Sequence, residues 1–450
     1  MGTFYVENFG CRATQADGAA IEQQFQRLGL AAAKTAGAAE IVVLNTCTVT
    51  ASADHDARAA IRRIHRDNPG CQIVVTGCYA QRAPQELAAL PGVSQVIGNS
   101  HKHRVAGLAL APNRQSLPAF VPLWSLSAQQ PVPDQIFVSD IFAHTELLAA
   151  PVFEAAHERT RPNLKVQDGC DNRCSFCVIP YVRGQSRSLP LDRVLQEIRA
   201  LVDAGYREVV ISGINLGRWG RDLSGPRPAR LESLVGAILG ETALEKLRIS
   251  SIEPMDWSDD LIALVASSRR IAKHAHVPMQ SGSDRVLRAM HRKYRPWHYQ
   301  DKILKIRRAL PTAAIGADVL VGFPGESEAD FAETHRMIED LPFTYLHVFT
   351  YSPRPGTPAA TMPDQVPVGL ARDRNRILRE LAADKKLAFM QSFIGKRIDA
   401  ITLKAGSGTS TEALTDHYLK LRLHGQHQAN HWVQARVEGV TCGELVGTVE

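Results

Sequence analysis

The sequence predicts an α/β protein built from an N-terminal parallel βαβ domain, a central incomplete (β/α)6 barrel and a small antiparallel β-barrel at the C-terminus. Three observations carry this expectation. Short β-rich runs alternate with amphipathic helical stretches over the first hundred residues. The same alternation resumes near residue 164 and continues to about residue 350. Beyond residue 390 helical periodicity gives way to short strands with glycine-bearing turns. The 450-residue length suits roughly three domains. A composition of 44% apolar and 22% charged residues is that of an ordinary globular protein.

In the first segment, assigned to residues 1–110, strands are expected at 3–6, 41–44 and 73–76. Helices are expected at 19–28 and 54–65, so the sheet should be parallel. Residues 111–160 are rich in Pro, Ala, Gln and Ser without a sustained period and read as a linker. The barrel is assigned to 161–388, with strands at 164–167, 208–212, 247–252, 274–279, 315–321 and 345–350. Helices such as 191–204 and 330–340 separate them. Six β/α units fall two short of a closed eight-fold barrel, and chemistry in such folds gathers at the C-terminal ends of the strands. A helix near 373–390 leads to the last segment, 389–450, with strands at 397–404, 412–423 and 432–437. Small barrels of this kind often bind RNA.

No apolar run approaches the ~20 residues of a membrane span, and the N-terminus lacks a signal-peptide pattern. A cytoplasmic protein without membrane attachment is expected, and its cysteines are then metal ligands rather than disulfides. The formal charge of +6 is uneven. Nine Lys/Arg lie between Arg285 and Arg308 against the single acid Asp301. Arg58, Arg62 and Arg66 share one helix face. Such faces suit a phosphate backbone, and they equally suit a solvated helix.

Six of the eight cysteines form two sets of three. Cys170, Cys174 and Cys177 are local, a C-x3-C-x2-C run that follows the first barrel strand. Cys11, Cys47 and Cys78 are dispersed, each at or just past a strand end in Phe9-Gly10-Cys11, Asn45-Thr46-Cys47 and Thr76-Gly77-Cys78. In a parallel sheet those ends share one edge, the usual ligand crevice. Three thiolates leave one iron of a four-iron cluster open. A zinc knuckle would need a fourth ligand nearby, and the stretch after Cys177 offers none. Cys71 precedes the strand that Cys78 follows and should lie about 23 Å away, on the opposite edge. Cys442 has no partner cysteine in its segment, and both read as structural.

The local triplet, with Phe176 before its last cysteine, matches the radical S-adenosylmethionine signature. An open iron can chelate the amino and carboxylate groups of that cofactor, whose reductive cleavage gives a 5′-deoxyadenosyl radical. Candidates to hold it are polar and glycine residues at the ends of later strands: Gly213, Asn215, Ser250, Glu253, Gln280 and Asp318.

Taken together these residues resemble the methylthiotransferase family of radical S-adenosylmethionine enzymes. The matching text is Phe9-Gly10-Cys11, Leu44-Asn45-Thr46-Cys47-Thr48-Val49-Thr50, Val75-Thr76-Gly77-Cys78-Tyr79-Ala80-Gln81, Gln167-Asp168-Gly169-Cys170 through Cys177, and Tyr351-Ser352-Pro353-Arg354-Pro355-Gly356-Thr357. The resemblance implies an N-terminal domain with an auxiliary iron–sulfur cluster, a radical domain and a C-terminal TRAM barrel. It implies two [4Fe-4S] clusters, S-adenosylmethionine, a tRNA substrate, an electron donor such as flavodoxin or ferredoxin, and a sulfur source. In residues 45–50 and 76–81 and in Pro342-Phe343-Thr344-Tyr345-Leu346-His347-Val348-Phe349 the text most resembles the branch that modifies N6-threonylcarbamoyladenosine beside the anticodon. Sister branches act on isopentenyladenosine or on a ribosomal-protein aspartate. Outside the enzyme class, the remaining reading is an RNA-binding protein with structural metals. Two departures stand out: Thr14 where members usually carry Asn, and a longer stretch at 112–134.

Overall fold

The computed structural model describes residues 2–111, 135–144, 147, 161–224, 229–405 and 408–450. It divides into two compact units. The first comprises Met1–Pro151, Gly169–Asp171 and Val178–Gln185; the second comprises Val152–Asp168, Asn172–Cys177 and Ser186–Glu450. The unusual stretch at 112–134 lies outside the described residues, as does most of 145–160.

The first unit is a parallel sheet of six strands: β1 (Thr3–Asn8), β2 (Ala31–Ala32), β3 (Ile41–Thr46), β4 (Gln72–Gly77), β5 (Val93–Gly98) and β6 (Ile136–Phe137). Their spatial order is β2-β1-β3-β4-β5-β6, so the order reverses between β1 and β3. Every residue of β3 is buried, as both faces of this strand are covered. One face packs Val42, Leu44 and Val75 against Ala57, Ile61 and Ile64 of the helix Ala51–Asp67. The other packs Val6, Val43 and Val74 with Ile21 and Phe25 of the helix Arg12–Arg27. Three expected strands are present, and three more are added that are short or weakly patterned. The first helix starts at Arg12 rather than residue 19, because its first turns, residues 12–18, hold only Ala13 and Ala16 as apolar side chains and so carry little apolar stripe.

The second unit opens with β7 (Asn163–Lys165), followed by β8 (Gln167–Asp168) and β9 (Arg187–Ser188), which pair antiparallel. Five further parallel strands follow: β10 (Glu208–Ser212), β11 (Lys246–Ile249), β12 (His274–His276), β13 (Ala314–Val321) and β14 (Tyr345–Thr350). The sheets β11-β10-β7 and β12-β13-β14 join through the bridge Leu247↔Ile271. The result is the expected six-stranded incomplete barrel. The expected strand at 164–167 breaks at Val166, where the chain leaves β7 to pair with β9. In the expected strand at 274–279 the regular ladder spans His274–His276, and Val277 and Met279 still donate to the Gly316 and Asp318 carbonyls of β13 at 2.8 and 3.1 Å on either side of Pro278.

The helix Val368–Gln391 covers β14, and Asn375 Nδ2 donates to the Val348 carbonyl at 3.1 Å. A closed barrel follows from β15 (Arg397–Ala405), β16 (Ser410–Thr415), β17 (Lys420–His424), β18 (Trp432–Thr441) and β19 (Glu444–Val449). The single strand expected at 412–423 is two, divided by a turn in which Tyr418 takes φ 63° and bonds back to the Thr415 carbonyl. Fully buried Arg248 of β11 ties this turn to the larger barrel. It bonds Glu208 at 2.7 Å and reaches the carbonyls of Asp416 and Thr415. Among the described residues no helix is long and apolar enough to cross a membrane.

Candidate functional site

In the first unit the dispersed cysteines meet at one sheet edge. Thr46 and Gly77 are register partners in β3 and β4, so Cys47 and Cys78, the next residues, leave the sheet side by side. Cys11 caps the helix that follows β1, the other neighbour of β3. Gly10 makes the approach feasible. It takes φ +104°, and a Cβ there would fall 2.5 Å from Cys47 Cβ and 2.9 Å from its Sγ. Gly77 takes φ +99°, with the Thr46 carbonyl 2.3 Å from where its Cβ would be. Cys47 and Cys78 are buried and Cys11 is exposed. Burial first, then the neighbouring Cys78 and Cys11, push the Cys47 thiol up to about 11. Three crowded thiols suit a cation that takes them as thiolates and releases their protons.

Polar groups converge on these sulfurs. Asn99 Nδ2 lies 3.5 Å from Cys78 Sγ and donates to the Val182 carbonyl at 2.7 Å. Thr14, the departure from the family pattern, places its hydroxyl 3.6 Å from Cys11 Sγ, while its carbonyl accepts from Asn45 Nδ2. Cys71 lies at the opposite end of β4, half-buried against the core. Cys442 is exposed in the turn between β18 and β19, at φ 51°.

Cys170 donates its backbone N–H to the Gly184 carbonyl within the first unit. Gly169 before it takes φ +72°, and a Cβ there would lie 1.9 Å from the Gln185 carbonyl. Cys174 and Cys177 belong to the second unit. They are joined by a turn whose Ser175 is held by the carbonyls of Ala289 and Met290. Phe176 packs edge-to-face on Phe323. Arg292 Nη1 donates to Cys174 Sγ at 3.2 Å, and the other arm of the guanidinium pairs with Glu253. Arg292 is 7% exposed and lies over the Tyr294 ring. Cys174, Glu253, Arg292, Arg218 and Met255 line one cleft.

The expected cofactor residues fall as follows. Gly213 and Asn215 follow β10, and the Gln167 side chain holds their turn by accepting the Asn215 N–H at 2.7 Å. A Cβ on Gly213 would lie 2.7 Å from that same oxygen. Ser250 follows β11 directly, its Oγ buried with no hydrogen-bond partner among the described residues. Gln280 takes φ 65° and donates its N–H to the Asp318 carbonyl at 2.8 Å. Asp318 differs from the expectation of a strand-end residue, because β13 continues three residues past it. Its carboxylate lies 3.1 Å from His276, and the ligating atoms of His276, Asp318 and His347 lie within 4.8 Å of one another. The sequence marks Gln167 and His347 only as members of longer matching stretches, and it marks neither His276 nor the pairing of Arg292. Arg292 was counted only as one cation in a basic run.

That run is mostly consumed internally. Arg285 pairs with Asp330, Arg288 and Arg295 with Asp284, Lys305 with Asp259, and Arg292 with Glu253. Lys302 and Arg307 donate to backbone carbonyls. Of the nine, Lys293 and Arg308 alone lack such a partner among the described residues. Arg58 likewise bonds the Tyr79 hydroxyl at 2.6 Å, and Arg66 pairs with Asp67.

Residues 164–338 match the family described as the radical SAM superfamily, and residues 3–98 match an uncharacterized protein family, UPF0004. The threonylcarbamoyladenosine tRNA methylthiotransferase of Bacillus subtilis is 36% identical, covering 94% of this chain and 91% of that protein. The chain belongs to the tRNA methylthiotransferase family. The methylthiotransferase of the same name from Aquifex aeolicus is 34% identical over 96% of this chain and 99% of its own length. A tRNA-2-methylthio-N6-dimethylallyladenosine synthase from Novosphingobium aromaticivorans is 33% identical over 90% of this chain and 87% of its own. Among solved structures, a radical S-adenosylmethionine methyltransferase from Kitasatospora setae shares the fold. Its TM-score is 0.57 at 15% identity, covering 80% of this chain and 75% of that one. As radical S-adenosylmethionine methylthiotransferases, the family's members use an iron–sulfur cluster with that cofactor.

Proposed function

We propose that this methylthiotransferase converts N6-threonylcarbamoyladenosine beside the tRNA anticodon to its 2-methylthio derivative. The choice of nucleoside is supported by the relatives named for it, at 36% and 34% identity. The chemistry is supported by the meeting of Cys11, Cys47 and Cys78 at one sheet edge, separate in sequence from the triplet Cys170, Cys174 and Cys177. Two sets of three thiols suit two [4Fe-4S] clusters, each with one iron free of protein ligand. Cys170, Cys174 and Cys177 would hold a cluster able to supply the electron that cleaves S-adenosylmethionine, and Cys11, Cys47 and Cys78 one able to supply the sulfur.

The chain's own residues supply binding and orientation. S-adenosylmethionine carries a zwitterionic amino acid, and Glu253 and Arg292 offer opposite charges next to Cys174. Gln280 and Asp318, joined through their backbones, offer polar groups to its ribose, and the turn from Gly213 to Asn215 admits close backbone approach. The reading extends to a cytoplasmic protein served by an electron donor such as flavodoxin or ferredoxin and by a sulfur source. Residues 1–110 would form the auxiliary-cluster domain, 161–388 the radical domain and 389–450 the TRAM domain.

The test uses the reconstituted full chain under anoxic conditions with dithionite and S-adenosylmethionine. It is offered tRNA carrying either threonylcarbamoyladenosine or isopentenyladenosine. Methylthiolation of the first and not the second is expected; the reverse preference would assign the protein to the sister branch.

A further inference from the structure

Behind the Cys11–Cys47–Cys78 edge lies a buried group of three charges. Asp17 Oδ2 accepts from Lys102 Nζ at 2.8 Å and from Arg183 Nη2 at 3.0 Å. None of the three side chains is more than 5% exposed. Each is tied to the cysteines by its own element. Asp17 sits on the helix that Cys11 caps. Lys102 shares the turn Asn99–Arg104 with Asn99, whose amide contacts Cys78 Sγ. Arg183 follows Val182, which packs on Cys78 and whose carbonyl accepts from that same amide. Among the described residues two cations share this one carboxylate oxygen. Burying charge is costly, so paired cations at this position suit an anionic neighbour.

We propose that Lys102 and Arg183, held by Asp17, are positioning residues that compensate the negative charge of the auxiliary centre and favour its reduced and anion-loaded states. The inference rests on reading Cys11, Cys47 and Cys78 as ligands of a four-iron cluster. Thiolate ligands leave such a cluster negative, and each electron or sulfur anion it gains adds to that charge. A fixed positive charge in a medium of low dielectric raises the affinity for both. The ligand class is a small sulfur anion, hydrosulfide or an alkanethiolate.

The test uses the full chain with Cys170, Cys174 and Cys177 replaced by alanine, so that only the auxiliary cluster is loaded. Redox titration followed by electron paramagnetic resonance should show Lys102→Met and Arg183→Gln each favouring the oxidised state about tenfold, equivalent to a midpoint about 59 mV lower. Hydrosulfide affinity should fall by a similar factor. Asp17→Asn should move both quantities the opposite way, and Arg183→Lys should leave them near the parent. General damage would move every variant in one direction, so opposite shifts identify the charge effect even where one variant binds iron poorly. A parent holding about four irons whose variants share its midpoint and sulfide affinity overturns the proposal alone. A parent that binds no iron contradicts the cluster reading, and the proposal with it.

Discussion

Gly10 and Cys47 approach so closely that a Cβ added to Gly10 would lie 2.5 Å from the Cβ of Cys47 and 2.9 Å from its sulfur. The glycine takes φ +104°, a conformation other residues resist. This contact brings the loop carrying Cys11 against the neighbouring strand end. Gly10→Ala should therefore displace Cys11 or Cys47. Iron per reconstituted chain should fall from about eight to about four, with cleavage of S-adenosylmethionine retained. Full iron content in the variant would mean that the three thiols do not need this approach.

The ion pair between Glu253 and Arg292 makes a different demand. Glu253→Gln and Arg292→Met should each weaken S-adenosylmethionine binding at least tenfold, about 1.4 kcal/mol, by calorimetry on the reconstituted protein. Glu253→Gln should keep its iron, because among the described residues Glu253 pairs with Arg292 and with no cysteine. Unaltered affinity in both variants would remove the pair from the cofactor site.

Arg307 donates to the carbonyls of Pro311, Ala313 and Pro342 at 2.8–2.9 Å. Arg307→Ala should cost about 2 kcal/mol of stability in denaturant unfolding and leave tRNA affinity unchanged. Lys293→Glu with Arg308→Glu should do the opposite, lowering tRNA affinity and the steepness of its salt dependence. Loss of tRNA binding on replacing Arg307 would reverse this division of the basic run.

His417 is 9% exposed, and its imidazole is pushed down to about 4. Burial is the main cause, followed by the charges of Arg248, Lys246 and Lys273. A depressed folded-state value means that the unfolded chain takes up this proton first. The stability is present above about pH 6.5 and is lost as pH falls through 4, on the order of 3 kcal/mol in all. Urea unfolding of the apoprotein between pH 7 and 4 should show that slope, and His417→Asn should flatten it. An equal slope in the variant would assign the acid sensitivity to other groups.

How much was legible follows from what each signal depends on. The positions of Cys11, Cys47 and Cys78 depend on where three β-rich runs stop, and the change from Val, Ile and Leu to Asn, Thr and Gly marks those stops. Their convergence then follows from parallel topology alone. Arg292 depends on Glu253 and on Cys174, 118 residues earlier, and nothing in a run of cations says which of them meets an acid from a distant strand. The six barrel strands were countable because Val, Ile and Leu runs recur between helices. The break in the 412–423 run was hidden, because it rests on Tyr418 adopting a left-handed conformation that its residue type does not announce. The depth of Asp318 within β13 was hidden for a similar reason: a polar residue facing a barrel interior looks, in sequence, like the end of a strand.

The central claim is that this chain places a methylthio group on threonylcarbamoyladenosine through two separate sets of cysteines. Its most direct test is mass spectrometry of tRNA nucleosides from cells lacking the gene, complemented by the parent, by Cys47→Ala or by Cys174→Ala. The account predicts that 2-methylthio-N6-threonylcarbamoyladenosine disappears on deletion, returns with the parent and returns with neither variant. Full restoration by Cys47→Ala, or loss of the isopentenyl derivative instead, would contradict it.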